Sequence, residues 1–186
     1  GMVPAYLMGI NILKLRKNLL NHFRPRNINY LKDSSTKLAS ILQRKKLNNL
    51  IFFNYVPQLD KFLYWNQQLI AESLGKKGKG FLPVISSAPR DHHSLLQLYL
   101  DGPKDKLFYV FSSDTNNKSS NQIKIAQKNA FLKVLKKRGI PFREFKIGDI
   151  NEQALGELFS YFILETIIVG KLTNINPFDQ PAVEDV

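Results

Sequence analysis

Hydrophobic and polar positions follow one another along this chain in blocks that predict strands followed by helices. Short apolar runs rich in aromatic and β-branched residues begin near positions 50, 81, 106 and 142, and they have the length of buried strands. Between them, apolar residues recur every three or four positions, as on a helix buried along one face. The alternation predicts an α/β fold: a doubly wound parallel sheet of four or five strands flanked by helices, a flavodoxin-like three-layer sandwich.

The first crossover helix is expected over about residues 57–73. Its apolar positions keep the helical period, and Gly75 stands where such a helix would stop. Trp65, Gln68 and Glu72 are spaced at i, i+3 and i+7, which places them on one side of the helix. This helix therefore presents a carboxylate near its end.

Two further signals concern the second and third strands. Pro83 lies in the second strand, and because proline cannot donate to the ladder, it predicts an edge strand or a strand start. After the third strand, residues 112–121 are all polar and predict a loop.

We expect three segments: a helical amino-terminal segment (1–48) with a break at Arg24-Pro25-Arg26, an α/β domain (49–170) and a carboxyl-terminal tail (171–186). The apolar run 159–169 is too short to cross a bilayer and contains Glu165. It predicts a helix buried in protein. A buried carboxylate needs a partner, for which a subunit contact is expected.

Composition excludes several classes of site. The chain has 186 residues, 44% hydrophobic and 23% charged, which suits an ordinary globular core. It has no cysteine and three histidines, so disulfides and thiolate-bound metals are excluded and little remains for another zinc site. No metal and no cofactor are expected. The amino-terminal residues show no secretory signal pattern, and the composition is compatible with a cytoplasmic protein.

The formal charge of +12 raises the question of nucleic-acid binding. The basic residues are scattered over expected helix faces and ends, and neither a base-stacking aromatic motif nor helix-turn-helix spacing is present. Residues 75–80 have the composition of a phosphate-gripping loop, but they lack the Walker spacing and follow a helix. The charge instead favours small anionic ligands such as sugar phosphates.

Glu72 and His93 form a candidate acid–base pair. Acid–base catalysis needs one group that takes up a proton and one that donates it. A carboxylate at a helix end and an imidazole at the start of the next helix supply these groups, and both are expected towards the carboxyl edge of the sheet. The alternatives are a solvated glutamate and a histidine that caps its helix.

Three segments resemble one family, the phosphoglucose (glucose-6-phosphate) isomerases. Residues 68–76 read Gln-Leu-Ile-Ala-Glu-Ser-Leu-Gly-Lys and match that family's Gln-Leu-x-x-Glu-Ser-x-Gly-Lys signature. Residues 91–103 are similar to its Asp-Gln-His-Ser segment, and residues 179–184 to its Asp-Gln-Pro/Trp-Gly-Val-Glu segment. The resemblance covers nearly the whole chain and points to the carboxyl-terminal half of the family, with its second sugar isomerase domain.

The resemblance implies a role for each matched residue. Glu72 corresponds to the family's proton-transferring carboxylate and His93 to the histidine that assists ring opening. Gln180 corresponds to a glutamine that faces the phosphate, and Gln68 to a neighbouring polar contact. His92 stands where glutamine is usual and is expected to be structural.

The same resemblance implies that part of the site is missing. The family's catalytic lysine would follow Val186, so the resemblance implies that residues 171–186 are a truncated active-site tail. The family's arginine motif and first domain would precede Gly1. The chain is therefore expected to be an isomerase fragment for glucose 6-phosphate and fructose 6-phosphate that is inactive alone. Its expected partners are a second copy, because the family's histidine reaches a neighbouring subunit, or the missing half. The alternative is a non-catalytic module that binds sugar phosphates or serves assembly.

Overall fold

The computed structural model of the chain describes residues 2–113 and 119–184. Its strands are β1 (Asn49–Asn54), β2 (Leu82–Ser87), β3 (Lys106–Ser113) and β4 (Phe142–Ile147). Its helices are α1 (Met2–Leu7), α2 (Ile12–Arg16), α3 (Pro25–Arg44), α4 (Asp60–Leu74), α5 (Arg90–Ser94), α6 (Leu96–Asp101), α7 (Ser119–Lys137), α8 (Glu152–Leu172) and α9 (Pro181–Glu184).

The four strands form one parallel sheet in the order β2-β1-β3-β4. This confirms the predicted parallel α/β fold, at the lower of the two expected strand counts within the described ranges. β2 is an edge strand, and Pro83 is its second residue, so both expectations for the proline are met. Of the predicted loop 112–121, the first two residues complete β3 and the last three begin α7; residues 114–118 lie outside the described part.

Helices cover both faces of the sheet. Successive side chains of a strand point to opposite faces, so Phe52 of β1 packs towards α3, α4 and α8 while Phe53 packs towards α6 and α7. Both phenylalanines are fully buried. Two apolar cores therefore sandwich the sheet, which explains why residues 50–53 of β1 and 107–111 of β3 are continuously hydrophobic.

The amino-terminal helices join the same body. A short 3-10 turn ends at Phe23, and Pro25 then begins α3, so the predicted break at Pro25 is confirmed. Leu31 and Leu42 of α3 are buried in the core shared with α4 and α8. On the other side of α8, the carbonyl oxygen of Leu15 in α2 lies 1.8 Å from where a Cβ on Gly156 would stand. Only glycine allows this close approach.

Glu165 finds its partners within the chain. Its side chain is buried and accepts hydrogen bonds from Arg143 Nη1 at 2.8 Å, Ser34 Oγ at 2.9 Å and Tyr161 OH at 2.9 Å. The expectation of a subunit contact at Glu165 is therefore wrong, because α3 and β4 bring a hydroxyl and a guanidinium to it. None of the described helices is long and apolar enough to cross a membrane.

Candidate active site

Glu72 lies near the end of α4, at the amino edge of the sheet. A crossover helix starts where its strand ends and returns antiparallel to it, so its last turn reaches the opposite edge. Gln67 lies five residues before Glu72 in α4. Its Nε2 atom donates a hydrogen bond at 2.6 Å to the carbonyl of Pro83, which lies at the start of β2. The expectation that Glu72 lies towards the carboxyl edge is therefore wrong, although its place at the end of this helix is confirmed.

Two amide side chains hold the carboxylate of Glu72. Gln68 Nε2 donates to Oε1 at 2.8 Å from one turn earlier in α4, and Gln180 Nε2 donates to Oε2 at 2.9 Å from the carboxyl-terminal tail. The structure thus brings together three of the four predicted site residues, including two that are separated by more than a hundred positions. Neutral donors orient the carboxylate without adding a charge beside it.

The course of the chain after α8 carries Gln180 to this place. Thr173 caps the helix end with its hydroxyl on the Val169 carbonyl at 2.8 Å, and Asn174 takes a left-handed conformation with φ of 57°. Ile175 is then buried against the core. The chain therefore turns back along α4 instead of leaving the domain.

A cavity of about 490 Å³ opens between the end of α4 and the tail. Its lining includes Ala71, Glu72, Lys76, Asp179, Gln180 and Val183. Cavities of this size hold small ligands in many proteins. The carboxylate of Glu72 is therefore next to a space that a hexose phosphate could occupy.

His93 lies elsewhere in the domain. It belongs to α5, which follows β2 at the carboxyl edge, and its side chain is exposed. Glu72 and His93 are thus at opposite edges of the sheet and do not meet within one chain. Both residues were expected towards the carboxyl edge of the sheet. That prediction is wrong for Glu72, whereas His93 does lie at the carboxyl edge.

A buried carboxylate anchors the short helix of His93. Asp91 accepts hydrogen bonds from Ser86 Oγ at 2.9 Å and Ser87 N at 2.8 Å, and it pairs with Arg90 Nε at 2.9 Å. The hydrogen bond from Arg90 is the main reason that the pKa of the Asp91 carboxyl lies below its usual value, followed by those from the end of β2. α5 is therefore tied to β2, with His93 on its outer side.

His92 points into the protein. Its Nε2 atom lies 2.5 Å from the hydroxyl of Tyr55, and its ring makes edge contacts with Phe53 and Phe131 at centroid distances of 5.2 and 5.5 Å. Burial lowers the pKa of the His92 imidazole. These contacts agree with the structural role expected for this residue.

Sequence reasoning missed the role of the lysines in residues 75–80. Lys76 Nζ donates to the carbonyl of Asn176 at 2.6 Å and pairs with Asp179 at 2.9 Å, while Lys79 Nζ donates to the carbonyl of Thr173 at 2.7 Å. The lysines hold the tail, and no local pattern could have indicated partners about a hundred residues away. In the described ranges, no group of histidine and carboxylate side chains is arranged to bind a metal ion.

The parallel sheet with helices on both faces makes the chain an α/β protein, and a carboxylate held by amides beside a cavity is an arrangement that can transfer a proton. No protein-family model matches the chain. Curated relatives named glucose-6-phosphate isomerase match it from end to end: 32% identity over 100% of the chain in Methanocaldococcus jannaschii, 32% over 99% in Mycoplasmopsis pulmonis and 29% over 100% in Leptospira biflexa. The chain belongs to the glucose-6-phosphate isomerase family. It spans about half the length of these relatives, between 47% and 51%.

Solved structures agree on the fold. A hypothetical protein from Thermus thermophilus superposes with a TM-score of 0.78 at 24% identity, over 95% of this chain and 48% of that protein. A glucose-6-phosphate isomerase from Chlamydia trachomatis superposes with a TM-score of 0.75 at 18% identity, over 92% of this chain and 40% of that protein. Each superposes through less than half of its own length.

Proposed function

We propose that the chain carries the proton-transfer site for interconversion of glucose 6-phosphate and fructose 6-phosphate. The observation that carries the proposal is the Glu72 carboxylate, held at the cavity by Gln68 and Gln180. The curated relatives named glucose-6-phosphate isomerase support the choice of substrates. No cofactor is needed, since a proton is the only group transferred.

In the proposed reaction, Glu72 acts as base and then as acid. It takes the proton from carbon 2 of the open-chain aldose while the carbonyl oxygen on carbon 1 takes a proton from solvent water, which gives an enediol. The same carboxyl group returns its proton to carbon 1, and the hydroxyl on carbon 2 gives its proton back to solvent as it becomes the ketone, so the two oxygen-bound protons balance. One carboxylate serves both steps because it reaches both carbons. The two amides keep it in one orientation, as a preorganised base requires.

Gln180 is proposed to contact the substrate as well as Glu72. Its amide already lies at the cavity, on the side of the tail. Of the two lysines at this cavity, Lys76 and Lys77, the first is paired with Asp179, so only part of the positive charge there is available to a phosphate group. This supports the proposal that the 186 residues bind a sugar phosphate weakly and turn it over negligibly without further residues.

His93 is proposed to assist ring opening in a second copy. Within one chain it lies at the edge opposite Glu72 and is exposed, so a site that uses both residues has to form between chains. A homodimer satisfies this condition. Association with the additional length that the relatives have is the other proposed partner, and it would complete the site without bringing His93 to Glu72. The cytoplasm is the proposed location.

The test is exchange of the carbon-2 hydrogen of the substrate with deuterated water, followed by NMR. It is made in a protein that restores the length of the curated relatives. Glu72→Gln keeps the shape, and its amide can bond to both neighbouring glutamines if one of them turns its own amide over. It removes the base, so exchange should fall by about 10² to 10⁴, while substrate binding changes little. Glu152→Gln, in the first turn of α8, is the matched control and should exchange at the parental rate.

His93→Ala should slow the reaction of ring-closed substrate more than that of open-chain substrate, because ring opening precedes proton transfer. Exchange at the parental rate in Glu72→Gln would place the base elsewhere. Sugar-phosphate binding without exchange in the parental protein would instead favour the non-catalytic module.

A further inference from the structure

Lys76 links the carboxyl-terminal tail to the end of α4 by a charged contact. We infer that Lys76 is a positioning residue: it docks the tail so that Gln180 reaches the carboxylate of Glu72. The effect of Lys76 on catalysis rests on the proposed function, but its role in docking the tail does not. No part of this role follows from the matched signature, which only places a lysine after the glycine.

The end of α4 turns the Lys76 side chain away from Glu72. At i+4 from Glu72, a lysine in a continuing helix would be expected to pair with that carboxylate. The helix ends at Leu74, and Gly75 leaves the helical conformation with ψ of 63°. A Cβ on Gly75 would stand 2.4 Å from the carbonyl oxygen of Ala71, so the turn requires glycine. The Lys76 side chain consequently runs to the tail, where only 10% of it is exposed.

The contacts form a short chain that ends at Glu72. Lys76 Nζ donates to the carbonyl of Asn176 at 2.6 Å and to Asp179 Oδ1 at 2.9 Å. Asn176 Nδ2 donates to the other oxygen of Asp179 at 2.9 Å. The next residue, Gln180, donates to Glu72 Oε2 at 2.9 Å. The hydrogen bond from Lys76 is also the main reason that the pKa of Asp179 lies below its usual value.

The tail has little else to hold it. Residues 178–184 are all exposed, and the two large apolar side chains among them, Phe178 and Val183, are 71% and 63% exposed. Among described residues, the hydrogen bonds and ion pairs that join 178–184 to the rest of the domain run to Lys76, Glu72 and Asn176. Since apolar burial is small, the order of this segment depends on these polar contacts.

The arrangement has a chemical consequence for Glu72. An ammonium group against a general base would compete with the substrate proton for the lone pairs of the carboxylate. Because the ammonium group of Lys76 pairs with Asp179, the carboxylate of Glu72 has two neutral amides as its hydrogen-bond partners instead. The lysine thus acts on the site through Gln180 and not by direct contact.

The first test measures tail docking by amide hydrogen exchange in the 186-residue protein. The amides of Phe178 and Val183 report on it, since they donate to Asn176 Oδ1 at 3.2 Å and to the Gln180 carbonyl at 2.9 Å. In Lys76→Met their exchange should accelerate about tenfold, as expected for loss of a charged hydrogen bond in a partly exposed site. Strand amides of β1 should be unchanged, which shows that the fold is intact.

Two variants make the result specific. Lys77→Met removes an exposed cation from the same loop and should leave the tail amides at the parental exchange rate. Lys76→Arg keeps a cationic donor and should retain most of the protection. Equal acceleration in Lys77→Met, or no acceleration in Lys76→Met, would overturn the inference. The inference would be supported if Asp179→Asn accelerated exchange of the tail amides as much as Lys76→Met does, and if the double variant showed no further acceleration.

The catalytic arm uses the longer protein and the carbon-2 exchange assay. Lys76→Met should lower kcat with a smaller effect on KM, since the base remains but its orientation is lost, and Lys76→Arg should recover most of kcat. If Glu72→Gln leaves exchange unchanged, the proposed function fails while the amide measurement still decides the docking role. If docking is lost and kcat stays parental, the positioning role is refuted.

Discussion

The buried pair of Glu165 and Arg143 supports a quantitative prediction about stability. Arg143→Met should destabilise the fold strongly, because it leaves the carboxylate of Glu165, of which 2% is exposed, without its cation. The guanidinium also donates to the hydroxyl of Tyr109 at 2.8 Å and stacks over the rings of Tyr109 and Phe145 at 4.8 and 4.9 Å. Methionine replaces part of the stacking but none of the charge.

The magnitude follows from the cost of removing one partner of a buried ion pair, about 3 to 5 kcal/mol. Urea unfolding is the assay. With a slope of about 2 kcal/mol per molar urea for a domain of this size, the midpoint should fall by about 2 M. Lys37→Met removes the cation of an exposed pair, with Asp33, whose side chains are 72% and 66% exposed. It should change the free energy of unfolding by about 0.5 kcal/mol or less.

The double variant Arg143→Met/Glu165→Met separates charge from packing. Replacing both partners by apolar side chains should restore much of the loss. Recovery should be incomplete, because Tyr109 OH loses its partner, and an unsatisfied buried hydroxyl costs about 1 to 3 kcal/mol. A midpoint shift in Arg143→Met no larger than that in Lys37→Met would refute the reasoning, since Glu165 would then not depend on its cation.

Two further predictions concern other contacts. Gly156→Ala places a Cβ 1.8 Å from the carbonyl oxygen of Leu15, so the melting temperature should fall by about 2 to 12 °C. Gly148→Ala, with no atom within 4 Å of its Cβ, should match the parent in the same calorimetric scan, and an equal shift in both variants would show that the approach of α2 is unimportant. Asp91 has a lowered pKa in the fold, chiefly through Arg90, so its stabilisation is present above about pH 3.9 and is lost as the pH falls through the folded value. Asp91→Asn should therefore be less stable than the parent in urea at pH 7, and the difference should shrink as the pH is lowered below about 3.9. A difference that stays constant over this range would contradict the reasoning.

Several features were predictable because they depend on local patterns. The continuous hydrophobicity of 50–53 and 107–111 reflects burial on both faces, which is a property of central parallel strands. Pro83 could only stand at an edge or a strand start, since it lacks a backbone donor. The position of Glu72 near the end of α4 followed from helical periodicity and from Gly75.

The edge of the sheet at which Glu72 lies was predicted wrongly, although the topology implied it. A crossover helix begins at the carboxyl edge and returns, so a residue in its last turn belongs to the amino edge. His93, in the first helix after β2, keeps the carboxyl edge. Whether a residue lies in the first or the last turn of a crossover helix thus decides which edge of the sheet its side chain is near.

The sequence by itself determined the strands, the helices, the family resemblance and the residue types of the candidate site. Only the tertiary structure decided which of those residues meet: Gln180 with Glu72, Lys76 with Asp179, and Arg143 with Glu165. These contacts join segments that are 22 to 108 positions apart. Local patterns report the conformation of a segment and the face it buries, whereas such pairings depend on how whole elements pack.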